Sequence, residues 1–286
     1  MSSPFDILLQ PTEEKSPHTA PVTLAEASGR YKLGPASRPP IKHDNGHLAA
    51  FPKREPTAAD RAQFAKWVAM LEGSEALCSG KTAKIVPACR GEDLTDANAA
   101  YRHFLFGDGA DRTINYERFI QDDASGRMLL PNLVRDFQKH AEVIGKDRIK
   151  FSVTSTAFTV GNGGIAPYPA TENWQKAIGA HFIWVSADVT VSADDKGVIQ
   201  YAAVLTVHME DRYNFNPGQS DIATGIPDSA NGNFEITGLG HQYTNFATIQ
   251  RNVSWAEGQW ESPVTAGAPT SRQRKPQDSR RLRNRI

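Results

Sequence analysis

The chain has 286 residues, 22% of them charged and 39% apolar, enough for one large domain or two small ones around a buried core. Its 32 basic and 32 acidic side chains cancel, so no field of the whole molecule draws it toward nucleic acid or a membrane surface. It holds no run of about 18 apolar residues that would make a bilayer-spanning helix, and the opening MSSPFDILLQP lacks a secretory signal's basic and apolar regions, so export by the Sec route is not expected.

Half of the 18 prolines fall within the first 56 residues, among Ser, Thr, Lys and Glu. Such a composition buries little apolar surface, and residues 1–56 are expected to be a flexible delivery or linker segment, mostly extended or disordered. From Thr57 the pattern turns helical. In TAADRAQFAKWVAML, Thr57 is a candidate N-cap with Asp60 three residues on, and Phe64, Trp67, Val68 and Leu71 share one helical face. LTDANAAYRHFLFG predicts a second helix from near Thr95, with Ala97, Tyr101, Phe104 and Leu105 on one side and Gly107 as a left-handed stop. LPNLVRDFQKHAEVIG predicts a third, with Pro131 near its first turn and Gly145 just past its end. Residues 57–145 thus read as a helical region. Cys78 and Cys89, too few for a disulfide framework, are read as buried free thiols, a single bridge being the alternative in an oxidising compartment. CSGKT resembles the end of a phosphate loop, but Gly73 and Gly80 are too widely spaced and no strand leads in.

After Lys146 the period drops to two and β-branched residues take over, in IKFSVTSTAFTV, HFIWVSADVTVSA and GVIQYAAVLTVHME. DDKG joins the last two as a hairpin, and NFATIQRNVSW supplies a further strand. The expected fold is α+β: N-terminal helices, then a curved antiparallel sheet or partial β-barrel in residues 146–260, forming one domain with the helices. Residues 261–286 read as a basic tail, since 271–286 carry seven Arg or Lys against one Asp. Without aromatic residues between the charges, it reads as a solvated tail that aids association with an anionic envelope rather than as a nucleic-acid reader.

The candidate site is MEDRYNFNPGQSDIATG, Met209 to Gly225, at the exit of the third long strand. Turn chemistry explains most of its Asn and Asp residues. Asp211 and Tyr213 stand apart, because in a strand D-x-Y points both side chains to one face, where a carboxylate and a phenol can meet one substrate atom. That pair suits phosphoester chemistry: Asp ligates a divalent ion or activates water, and Tyr donates to a phosphate oxygen. His208, in the strand, reads as structural. His103 and His140, in predicted helices, are given no role.

DRYNFN after a long apolar strand is similar to the D-x-Y-D-x5-H-R signature of the colicin M family of bacteriocins. HFLFGDGADRTIN, FSVTSTAFTV and GLGHQYTNFATIQ resemble other parts of that family's activity domain in the same order, so the likeness spans roughly residues 95–255. It implies a colicin M-like fold and a lipid II-degrading toxin that hydrolyses the polyprenyl-pyrophosphate linkage with a divalent cation such as Mg²⁺. Such a toxin is made without a Sec signal, is released or delivered through a receptor or secretion apparatus, and acts in the target periplasm, while a cognate immunity protein guards the producer. Carried over by position, Asp211 takes the first motif Asp and the metal, Tyr213 the Tyr, and Asn216 the accompanying Asn. The second motif Asp is Asn214 here, and the His and Arg positions hold Ser220 and Asp221. Asn accepts no proton and Ser is no imidazole. Either Asp221 becomes the second carboxylate while His241 returns to supply an imidazole, or the substrate is another phosphate compound, or the scaffold is a catalytically silent envelope binder.

Overall fold

The computed structural model describes residues 23–89, 91–161 and 163–260, so the first 22 residues of the expected 1–56 segment and the whole 261–286 tail lie outside them. In chain order the elements are α1 (Leu24–Arg30), β1 (Tyr31–Leu33), α2 (Gly46–Ala50), α3 (Ala58–Leu77), α4 (Thr95–Phe106), β2 (Arg112–Thr113), α5 (Tyr116–Asp122) and α6 (Ala124–Ile144). Then come β3 (Lys150–Ser155), β4 (Phe158–Val160), α7 (Glu172–Ala177), β5 (His181–Ala193), β6 (Ile199–Tyr213), α8 (Ser229–Thr237) and β7 (Tyr243–Ala256). The sheet runs β1-β3-β5-β6-β7-β2, with β4 also paired to β5. The class is α+β with an open sheet. It is mixed rather than wholly antiparallel, because β2 pairs with β7 in parallel.

Local chemistry explains the expected elements. Thr57 and Asp60 form a reciprocal capping box at the start of α3. At the β5–β6 turn, the Asp194 carboxylate accepts the N–H groups of Lys196 and Val198, both at 2.9 Å, and Gly197 takes a φ of 78°. IKFSVTSTAFTV divides into β3 and β4. Gly107 ends α4 in an extended conformation rather than a left-handed one, and it must be small because a Cβ there would lie 2.4 Å from the His103 carbonyl oxygen. α6 starts well before Pro131, at the Asp123 cap, where the carboxylate accepts the Ser125 N–H at 2.8 Å, so the proline lies inside the helix. Along β6, Tyr201, Ala203, Leu205, Val207 and Met209 point inward against Leu129, Leu133 and Phe137 of α6. Gln138, on the same helix, is fully buried, and neither atom of its amide has a partner among the described residues. Gln138→Leu is therefore expected to raise the melting temperature by a few degrees, on the order of 1 kcal/mol. An unchanged or lower value in a calorimetric scan would count against that account.

Two further expectations need correction. Residues 23–56 are not a free linker: Tyr31 is 1% exposed, its hydroxyl donates to Asp136 at 2.9 Å, and β1 pairs with β3. Proline fixes an extended backbone, and an extended strap can lie on a finished surface and borrow its hydrogen-bond partners. Cys78 and Cys89 are joined in a disulfide with a Cα–Cα distance of 5.2 Å. It ties the end of α3 to the turn before α4 across a sequence separation of 11, where chain entropy makes a bridge worth about 2–3 kcal/mol. A Cys78→Ser, Cys89→Ser double variant is expected to melt several degrees lower, and equal melting points would sink the claim. Among the described residues no helix is long and apolar enough to cross a membrane.

Candidate functional site

The inward row of β6 does not stop at Met209. Asp211 and Tyr213 continue it past the main core, onto the floor of a cleft of about 760 Å³. A second apolar cluster, Leu71 of α3, Phe104 and Leu105 of α4, Phe234 of α8 and Tyr243 of β7, closes this end of the sheet.

Asp211 is 5% exposed, and across the ladder its register partner is Asn245, whose Nδ2 donates to Oδ2 at 3.0 Å. Burial pushes its carboxyl up to about 8, against the weaker pull of Asn245 and the Arg212 charge, so it is mostly protonated at neutral pH. The Tyr213 ring stacks on Tyr243 at 5.0 Å between centroids and meets Phe104 and Phe215 edgewise or tilted. Burial raises its phenol well above the ordinary range.

Asn214 and Asn216 line the bank above, and a segment expected to be flexible holds them. Asn214 Nδ2 donates to Asp44 Oδ1 at 2.6 Å and to Asn216 Oδ1 at 3.2 Å. The Phe215 carbonyl accepts both the backbone N–H of His47 (3.1 Å) and its Nδ1–H (2.8 Å). Gly46 has a φ of 47°, and a Cβ on it would lie 2.1 Å from that carbonyl oxygen. From below, the Phe215 N–H donates to Glu235 Oε1 at 3.0 Å and the Asn216 N–H to Asp228 Oδ2 at 3.0 Å. Burial raises Glu235 to about 7 and moves Asp228 upward. The strap around Gly46 thus positions the loop.

The segment after Pro217 shares the cleft with Asp211: Gln219, Ser220, Asp221 and Asp228 all line it. The Asp221 carboxylate accepts the Thr224 N–H at 2.6 Å and lies 3.6 Å from Lys176 Nζ of α7. Tyr168 also lines the cleft, within electrostatic reach of Asp211, Asp221 and Asp228. His241 does not join them: it is exposed, its N–H donates to the Phe104 carbonyl at 2.9 Å, and no histidine lines the cleft among the described residues. Ser220, at the motif's His position, pairs through its backbone with Pro227. His208 stacks on Trp184 at 3.6 Å beside the Ser186 hydroxyl, a structural placement.

Sequence reasoning missed Asp44, His47, Tyr168, Lys176 and Asn245. HDNGH, an acidic and imidazole cluster around a glycine within the proline-rich segment, and PYP, an aromatic between two prolines, were the available signals.

The cleft's donor set does not fit a divalent cation held by the protein alone. Among the described residues no three His, Cys, Asp or Glu side chains converge to hold one, and one oxygen of Asp211 is already taken by Asn245. What the arrangement offers is a proton donor at Asp211, amides for orientation, and an apolar wall from Trp67, Met70 and Leu71. No protein-family model, curated protein or solved structure matches the chain.

Proposed function

We propose that the cleft hydrolyses a polyprenyl-pyrophosphate linkage, that of lipid II or a related wall precursor, and that the protein is a colicin M-like antibacterial toxin acting in a target cell's periplasm. The observation that carries this reading is the meeting of Asp211, Tyr213, Asn214, Asn216 and Asp221 in one cleft whose far wall is apolar. A prenyl chain gains from burial against such a wall, while the amides of Asn214 and Asn216 suit the polar head.

In this reading water displaces the prenyl oxygen on phosphorus, Asp211 protonates that departing oxygen, and a proton from the attacking water restores the acid. Asn214 and Asn216 orient the phosphate. Tyr213 fixes the floor beside Asp211. The Cys78–Cys89 bridge supports action outside a reducing cytoplasm. A producing cell then needs an immunity protein, because its own precursors are equally vulnerable.

One observation favours a second reading: among the described residues no imidazole lines the cleft, and Ser220 and Asp221 stand where the motif has His and Arg. A catalytically silent envelope-binding protein would keep the cleft and lose turnover. Incubating the purified protein with lipid II and following free undecaprenol separates them. Release establishes the hydrolase; binding without release assigns the binder.

A further inference from the structure

Tyr168 sits between Pro167 and Pro169, and the frame around this phenol is unusually well anchored. The Ser125 hydroxyl donates to the Pro167 carbonyl, and Gln175 Nε2 donates to that of Pro169 at 2.9 Å. The next two N–H groups, of Ala170 and Thr171, both donate to Asp123 Oδ2, at 3.0 and 2.8 Å, and Asp123 is fully buried. The ring is thus delivered to the cleft from a rigid support.

Its hydroxyl is kept open. Four of the six other tyrosines spend theirs internally: Tyr31 on Asp136, Tyr101 on Asn231, Tyr116 on His181 and Tyr243 on the Ala100 carbonyl. Tyr168 lines the cleft, is half-buried, and makes no hydrogen bond through its hydroxyl to any described residue. Gly179, with a φ of 56°, leaves it room, because a Cβ there would come within 3.2 Å of the Tyr168 hydroxyl oxygen. Tyr213, in contrast, is stacked and wedged among three other aromatic rings.

We propose that Tyr168 is a substrate-contacting residue of this cleft, its hydroxyl donating a hydrogen bond to a phosphate oxygen of the bound molecule. The proposal rests on the phosphoester reading and adds a second donor to the cleft that Asp211 lines. The charge around it is mixed: Asp211 is mostly neutral at neutral pH, Lys176 lies between Glu172 (2.5 Å) and Asp221 (3.6 Å), and Asp228 also acts on the phenol, so the hydroxyl is the neutral donor here.

Tyr168→Phe removes only the hydroxyl, leaving the ring and its proline frame. The melting temperature is expected to stay within about a degree of wild type, while kcat on lipid II falls about 10- to 100-fold and calorimetric affinity for inorganic pyrophosphate falls about tenfold. A merely structural tyrosine would shift the melting point and leave the affinity alone. If the wild type releases no undecaprenol, the lipid II reading fails by itself, and Tyr168 is then judged on pyrophosphate. Weaker binding by the variant upholds the proposal. Equal binding by both proteins, or none by the wild type, overturns it.

Discussion

Asp211→Asn is expected to leave the protein folded and to cut lipid II turnover by about 10²- to 10⁴-fold, the usual worth of a positioned proton donor. The amide oxygen can still accept from Asn245 Nδ2, so the local hydrogen bond survives while the transferable proton is lost. Wild-type turnover should fall as pH rises through about 8, where Asp211 ionises. Stability carries the same sign. Burial raises Asp211 from 3.8 to about 8, so between those values the folded state holds a proton that the unfolded chain has released, and stability drops as pH climbs across that window. Glu235 acts in the same direction from 4.5 to about 7. His181, held at about 4 by burial against 6.5 in the open chain, acts oppositely and weakens the fold as pH falls through that range. Relative to wild type, the variant should therefore gain stability at pH 8 and gain little at pH 4, as thermal melts at both values would reveal. A variant with full turnover would remove Asp211 from the chemistry.

A chain beginning at Thr57 is expected not to fold cooperatively, although its sequence retains all the predicted helices and strands. Truncation removes Tyr31 from the core and β1 from the sheet edge. It also removes Arg38 and His43, which donate to Glu210 at 2.7 and 2.6 Å. Glu210 is 4% exposed in the full chain, and the deletion takes away both its charged partners and the segment packed on it. Asn214 would lose Asp44, and Phe215 would lose His47. Circular dichroism is the check: a sharp transition at the full-length temperature would mean that residues 23–56 are the linker their composition suggests.

Much of this fold is legible in short stretches. The α3 cap, the β5–β6 turn and the placing of Asp211 and Tyr213 on one face depend on residues two to four apart, and near neighbours are what a linear pattern records. The longer span of α6 was missed because Pro131 reads as a beginning, whereas the Asp123 cap sets the true start. The Cys78–Cys89 bridge depends on two turns being folded side by side, which spacing alone does not dictate.

By itself the sequence determined an α+β chain with helices before the long strands, and a carboxylate and a phenol projecting together where one strand ends. Only the tertiary structure decided that Asp211 is buried opposite Asn245, that His241 lies elsewhere, and that Tyr168 lines the cleft. It also decided that a proline-rich segment clamps the site loop through a pair 170 residues apart. Capping, turn and alternation preferences act through the local backbone and leave a periodic trace. Burial, and hydrogen bonds between distant segments, depend on which surfaces meet after folding, and no local pattern records that.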